Sequence, residues 1–183
     1  MTSNELYTLF HQRQSDRKFD TLRPVDPETV YRIVAAAGLA PSACNSQPWE
    51  IVAVTDPAEA KRVGKAALKG IVGMNKFVAT APVHLIIVEK KTNFFSYVGS
   101  HLRKVDFAHY DVGIFMAHLC LAAAAEGLGS CIIGMLNGKA VAQELGIPLD
   151  RRVMFDIILG YSTDKQREKK RKPSEQILHK EKW

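Results

Sequence analysis

Apolar positions along the chain follow two rhythms, one helical and one of short, densely apolar runs. Leu6, Leu9 and Phe10 fall at helical spacing, and Thr2 with Glu5 has capping-box spacing, which predicts a first helix over residues 4–13. The polar run RQSDRKFD ends it. Asp26-Pro27 then supplies an N-cap and a first-turn proline, and Val30, Ile33, Val34 and Ala37 continue the helical period until residues 38–41. A loop, PSACNSQP, leads to an apolar run at 51–54 that reads as a strand, and Asp56-Pro57 opens a helix reaching about Lys69. Residues 83–88 (VHLIIV) are apolar on both faces, as in a buried central strand.

Residues 89–109 show weak periodicity, and Phe94, Phe95, Tyr97, His101 and Phe107 read either as a flexible cover over a pocket or as loop aromatics that simply pack locally, the commoner case. Residues 112–125 are small or apolar nearly all round, which predicts a helix buried in the middle of the molecule or of an oligomer, with His118 as a satisfied core histidine. Gly127-Leu128-Gly129 ends that helix. A strand at CII, a small helix over 139–145 and a last strand at 153–159 (VMFDIIL) follow. Helices and strands segregate without strict β-α-β alternation, which favours an α+β fold in which helices cover a sheet.

Composition narrows this picture. A chain of 183 residues is close to the ~150 typical of one domain, so residues 1–183 are read as a single unit with a basic tail at 161–183. The 14 residues of 112–125 fall short of the ~20 needed to cross a bilayer, so no membrane span is expected. No basic start followed by an apolar core opens the chain, and Cys44, Cys120 and Cys131 form no CxxC pair; both features point to the cytoplasm and away from a disulfide framework. The net charge of +6 first suggests a polyanionic partner, but residues 165–172 (KQREKKRK) hold six cations and one acid, leaving 19 basic and 18 acidic residues elsewhere. The body is near neutral, and nucleic acid is not the expected partner.

Common chemical motifs fail on their own terms. GLGSCIIG follows a helix instead of a strand and has Ile132 at the sixth position, against a dinucleotide fingerprint. GMLNGKA is one residue short of a P-loop and ends on Ala140 in place of a hydroxyl. The six histidines show no metal-ligand spacing, and Ser42 and Ser130 lack a nucleophile-elbow context. Three segments remain: RQSDRKF at 13–19, the cationic KKRK at 169–172, and PSACNSQPW at 41–49, which packs hydrogen-bonding side chains between prolines ahead of a buried strand.

Taken in order, R-x-S-x-R-x-F, A-P-S-x-x-N-x-Q-P-W, A-P-V before a strand, D-V-G opening a small-residue helix, G-L-G-S-C after it, and G-Y followed by a basic R-K-P tail span nearly the whole chain. This order resembles the FMN-dependent nitroreductase family. The resemblance implies an intertwined α+β homodimer, a mixed, mainly antiparallel sheet flanked by helices, and two FMN sites lined by both chains. It places Arg13, Ser15 and Arg17 on the FMN phosphate and ribityl chain, with Lys169 and Arg171 closing on the same phosphate. Pro41, Ser42, Ala43 and Asn45, with Gln47 in or near them, match a loop reaching the flavin from the other subunit. Ile132, Ile133 and Gly134 match the segment along the isoalloxazine edge, and Asn75 is a further ring contact.

The implied activity is hydride transfer from NADH or NADPH, through FMN, to a small acceptor such as a nitroaromatic or quinone, with no obligatory acid-base side chain and no metal. A dehalogenase or flavin-consuming enzyme of the same fold, and a non-catalytic basic binding module, are the alternatives. The chain departs from the family pattern at Gln14, where a second arginine is frequent, and at Cys44, read as a buried small hydrophobe, while Lys165 and Arg167 are read as solvated.

Overall fold

The computed structural model describes residues 2–183, the side chains of Phe94 and Phe95 excepted. Four strands, β1 (Trp49–Val54), β2 (Val83–Glu89), β3 (Gly129–Ile133) and β4 (Arg152–Gly160), form one sheet in the order β1-β2-β4-β3. Every neighbouring pair among them is antiparallel, and a parallel component enters as a single bridge between Ser15 and Ser130 at the β3 edge. Helix α5 (Phe107–Ala125) and α2 (Pro27–Ala37) cover one face, and α3 (Pro57–Ala67) and α6 (Gly138–Glu144) cover the other. Two further helices are α1 (Ser3–Gln12) and α4 (Phe94–Arg103).

Alternation along the central strands splits the core into two layers. Val83, Leu85, Ile87, Ile157 and Leu159 pack on Ile33, Phe115 and Leu119, while Ile86, Val88 and Ile158 pack on Val63, Ala67 and Val141. Both faces of β2 are therefore apolar, as its sequence requires. The helix starts follow their caps: Asp26 accepts from Glu28 N–H at 3.1 Å, and Asp56 accepts from Ala58 and Glu59 N–H at 2.9 Å. A buried pair interrupts the apolar core, with Nδ1 of His84 2.7 Å from Oδ2 of Asp156.

Three sequence expectations change. The weakly periodic stretch contains helix α4, capped by the Asn93 side chain on Ser96 N–H at 2.9 Å, and the first turn of α5, capped by Asp106. Tyr97 and His101 stack with ring centroids 6.1 Å apart, whereas the side chains of Phe94 and Phe95 lie outside the described residues. Helix α5 is longer than expected and buries one side only: Val112, Phe115, Leu119 and Ala123 are fully enclosed, while Tyr110, Ile114, Ala117 and His118 are exposed. His118 is thus a surface residue whose Nδ1 lies 2.9 Å from the Ile114 carbonyl, and the core histidine is His84. By length and composition α5 could cross a bilayer, but its buried side is the centre of the sheet-facing core.

Candidate functional site

The RQSDRKF segment leaves α1 at Arg13, whose N–H closes the last turn on the Leu9 carbonyl at 2.9 Å. It then runs along β3, where Asp16 N–H donates to the Ser130 carbonyl at 2.9 Å. Asp16 is buried and accepts from Ser162 Oγ at 2.7 Å and Gln14 Nε2 at 2.9 Å. Gly129 makes this approach possible, since a Cβ there would lie 2.8 Å from Asp16 Oδ2 and 2.7 Å from Ser162 Cβ. Arg17 N–H donates to Asp164 Oδ2 at 2.6 Å, and its guanidinium sits 5.9 Å from the centroid of the Phe77 ring.

The basic tail returns antiparallel over this segment. Gln166 Nε2 donates to the His11 carbonyl at 3.0 Å, Arg167 N–H to Gln14 Oε1 at 3.0 Å, the Arg167 guanidinium to the Ser15 carbonyl, and the Lys169 ammonium to the Arg13 carbonyl. The result is a cavity of about 490 Å³ lined by Phe10, Arg13, Cys120, Ile132, Lys169 and Arg171, among others. A smaller one of about 200 Å³ is lined by Arg13, Ser15, Arg17, Arg167, Lys169 and Arg171. Partial burial, reinforced by repulsion from Arg13, Arg171 and Arg167, pulls the Lys169 ammonium below the ordinary lysine range. A cluster of like charges held this close is a place for an anion with several acceptor oxygens.

Ile132 faces the larger cavity, Ile133 is buried against the opposite layer, and a Cβ on Gly134 would lie 3.2 Å from the Phe155 ring. Asn75, at φ 56, donates through Nδ2 to the Met135 carbonyl at 3.4 Å, which puts it beside the chain leaving β3. Arg13, Ser15, Arg17, Ile132, Lys169 and Arg171 are thus brought together, with Asn75, Ile133 and Gly134 along one edge. The thiols of Cys120 and Cys131 are pushed up by burial, so neither is disposed to ionise.

Pro41, Ser42, Ala43, Asn45 and Gln47 lie elsewhere. Ala43 N–H donates to both carboxylate oxygens of Asp111 at 3.1 Å, near the N-terminal end of α5, and Trp49 stacks on Phe115 at 4.7 Å. Asp111 and Cys120 are nine residues apart on one helix, about 13 Å along its axis. None of the five loop residues lines either basic cavity. The loop is internally braced, with Gln47 N–H on Ser42 Oγ at 3.0 Å and Asn93 Nδ2 on the Cys44 carbonyl at 3.0 Å. Cys44, Asn45 and Gln47 all have positive φ, and Cys44 is exposed, which corrects the expectation of a buried thiol.

A family model described as the Nitroreductase family matches residues 11–73 and 72–161. The chain belongs to the nitroreductase family. Relatives include a protein of Archaeoglobus fulgidus provisionally named NADH dehydrogenase/NAD(P)H nitroreductase, 29% identical over 98% of this chain and 99% of its own. An iodotyrosine deiodinase of Drosophila melanogaster is 26% identical over 88% of this chain, which spans 64% of that protein's length. Among solved structures, an FMN-dependent nitroreductase of Clostridium difficile superposes with a TM-score of 0.74 at 26% identity, covering 96% of this chain and 98% of its own. The fold class is that of this oxidoreductase family.

The sequence alone assigns no site role to three contributors in this nitroreductase-family protein. Gln14 reads as a lost cation yet is buried and bonds the tail, and Arg167 reads as solvated yet bonds the Ser15 carbonyl. Asp111 belongs to the D-V-G motif, and a further signal is that it is the only acid between Asp106 and Glu126.

Proposed function

We propose that the chain binds FMN at the basic end of α5 and works as an NAD(P)H-dependent oxidoreductase on small acceptors such as nitroaromatics or quinones. The observation that carries this is the convergence of Arg13, Arg17, Lys169 and Arg171, from two ends of the chain, around one groove beside β3. Those residues fit a phosphate monoester: guanidinium forks offer paired donors, and a dianion relieves the repulsion that adds to burial in depressing Lys169. Ser15 lines the same groove and would serve a ribityl chain, and the backbone of residues 132–134 with Asn75 would border the ring. FMN, when bound, supplies the hydride chemistry. The protein's residues hold it, exclude water from one side through Phe10, Leu121 and Ile132, and keep the buried Cys120 thiol beside it protonated.

The active form proposed is a homodimer. Helix α5 exposes Tyr110, Ile114 and Ala117 in a stripe, an apolar surface suited to a second copy, and loop 41–47 stands too far along α5 to reach the basic groove of its own chain. A loop from the second copy would complete each site. Exposed Cys44 suits a reducing compartment, in keeping with a cytoplasmic protein. Nucleic acid is disfavoured because Arg167 and Lys169 are turned onto the protein's own carbonyls.

The test is direct. Purified protein should be yellow, should release FMN on denaturation, and should oxidise NADH or NADPH with parallel double-reciprocal lines when a nitroaromatic or quinone is varied. Colourless protein that binds no FMN on titration would sink the reading, and light scattering at the mass of one chain for flavin-loaded protein would sink the dimer. The deiodinase relative favours a second reading, reductive dehalogenation at the same site; turnover of iodotyrosine in preference to quinones would select it.

A further inference from the structure

Gln14 sits between two arginine-bearing positions and is 8% exposed, although its neighbours 12 and 13 face outward or line the groove. Its amide uses both ends. Nε2 donates to Asp16 Oδ1 at 2.9 Å and to the Lys165 carbonyl at 3.2 Å, while Oε1 accepts from Arg167 N–H at 3.0 Å. One side chain thereby pairs with a carbonyl and an amide two residues apart on the tail, as a neighbouring strand would. A carboxamide suits this because its donor and acceptor sit side by side on one long, flexible stem, whereas a carboxylate accepts without donating and lysine or arginine donates without accepting. Asp16 is in turn held by Ser162 at 2.7 Å, so the pairing is anchored in the sheet edge.

We propose that Gln14 is a positioning residue that fixes the register of the basic tail on the 11–16 segment and so places Lys169 and Arg171 at the groove. The phosphate half of this rests on the FMN reading; the register half does not. Two residues beyond Arg167, the Lys169 ammonium reaches the Arg13 carbonyl, and two further on Arg171 lines the same cavity as Arg13. A slip of one residue would turn both side chains to the other side of an extended segment. Residues 162–164 are already paired with 17–19, through Thr163 N–H on the Lys18 carbonyl and Arg17 N–H on Asp164. Between Asp164 and Lys169, however, the other bonds come from the Gln166 and Arg167 side chains, which are exposed and weak.

The experiment uses the full-length protein stripped of flavin. Trypsin cleaves after Lys and Arg except before proline, and 165–172 offers five sites, Lys172 being followed by Pro173. Gln14→Ala and the isosteric Gln14→Glu should each speed cleavage there by about tenfold or more, because cleavage tracks the open population and the lost buried bonds are worth a shift of that order. Cleavage after Arg62 and Lys65 in α3, mapped by mass, should keep its wild-type rate, which separates a loosened tail from a destabilised fold.

Titration of the same proteins should show FMN weakened by about tenfold and riboflavin unchanged, and Lys169→Ala should add little in the Gln14→Ala background because the two changes break one arrangement. Unchanged tail cleavage in both variants overturns the proposal, as does equal weakening of FMN and riboflavin. Faster tail cleavage in a protein whose wild type binds no FMN supports the register role and overturns the cofactor reading instead.

Discussion

At the C-terminal half of α5, Cys120 and Leu121 face cations drawn from segments more than 150 residues apart, pinned to each other through backbone carbonyls. At its N-terminal end Asp111 holds a neutral loop whose polar side chains bond mainly within the loop itself. The first region is complete within one chain and is an electrostatic site: take away any cation and the others remain aimed at the same point. The second is a shaped ledge, stiffened by three positive-φ residues and by Trp49 on Phe115, with little in its own chain to act upon. A flavin mononucleotide has the same division, a charged phosphate at one end and a flat neutral ring at the other. The two regions therefore predict opposite responses to removal of the phosphate from the ligand.

The largest expected effect is at the basic end. Arg13→Ala or Arg171→Ala removes a charge-assisted contact worth roughly 1.5 to 3 kcal/mol, or about ten- to a hundredfold in FMN affinity. Riboflavin should be indifferent. Fluorescence titration of apo-protein with both flavins measures the difference, and equal weakening would mean that the arginines support the fold instead of the ligand.

At the other end, Asp111→Ala leaves Ala43 N–H without its acceptor and should cost about 1 kcal/mol of stability. Here FMN and riboflavin should weaken together, since the loop would meet the ring and not the phosphate. A pH dependence sharpens this. Burial raises the Asp111 carboxyl above the ordinary aspartate range, with the Ala43 N–H opposing, so the folded state binds more protons than the unfolded one between those two values. That group's contribution to stability falls as pH rises through the window. Asp111→Asn should flatten the slope of melting temperature against pH there; an unchanged slope would show that Asp111 is not its source.

How far each region can be read from sequence follows from the same contrast. Charges on a near-neutral body stand out, so Arg13, Arg17, Lys169 and Arg171 are legible in the sequence, as are the helices opened by Asp26-Pro27 and Asp56-Pro57. Gln14 and Arg167 are not, because their bonds cross 151 to 153 residues and nothing local marks a carboxamide as buried. Helix α4 escapes pattern reading because glycine, serine and aromatic residues carry weak helix propensity, and its cap, Asn93, is also a loop residue that bonds to Ser46 and Cys44. The sequence misplaces His118 because α5 is apolar on its exposed face as well, so periodicity does not say which side meets the sheet.

A smaller effect separates two neighbours within the tail. Arg167→Ala removes the guanidinium bonds to the Ser15 carbonyl and Asp164 and should weaken FMN by a few-fold, about 0.5 to 1 kcal/mol for an exposed pair. Lys165→Ala should be silent, because the group in use at that position is the backbone carbonyl, which the substitution keeps. Equal losses for the two would mean that the tail acts through net charge alone, and a steep salt dependence common to both would confirm that.

The smallest expected effect concerns Cys44. Of the three thiols it alone is exposed, so a thiol reagent should modify one cysteine in the native chain and three after unfolding. Cys44→Ser keeps the size of the side chain and the loop's backbone bonds, among them the Cys44 carbonyl that accepts from Asn93. If hydride passes through FMN, no electron need rest on sulfur, and the variant should retain most wild-type turnover. Modification with a bulky reagent is a different perturbation: it adds volume to the ledge and should slow turnover while FMN bound through its phosphate stays in place. Loss of turnover in Cys44→Ser with FMN still bound would make the thiol a participant, and the neutral end of α5 would then be chemical as well as structural.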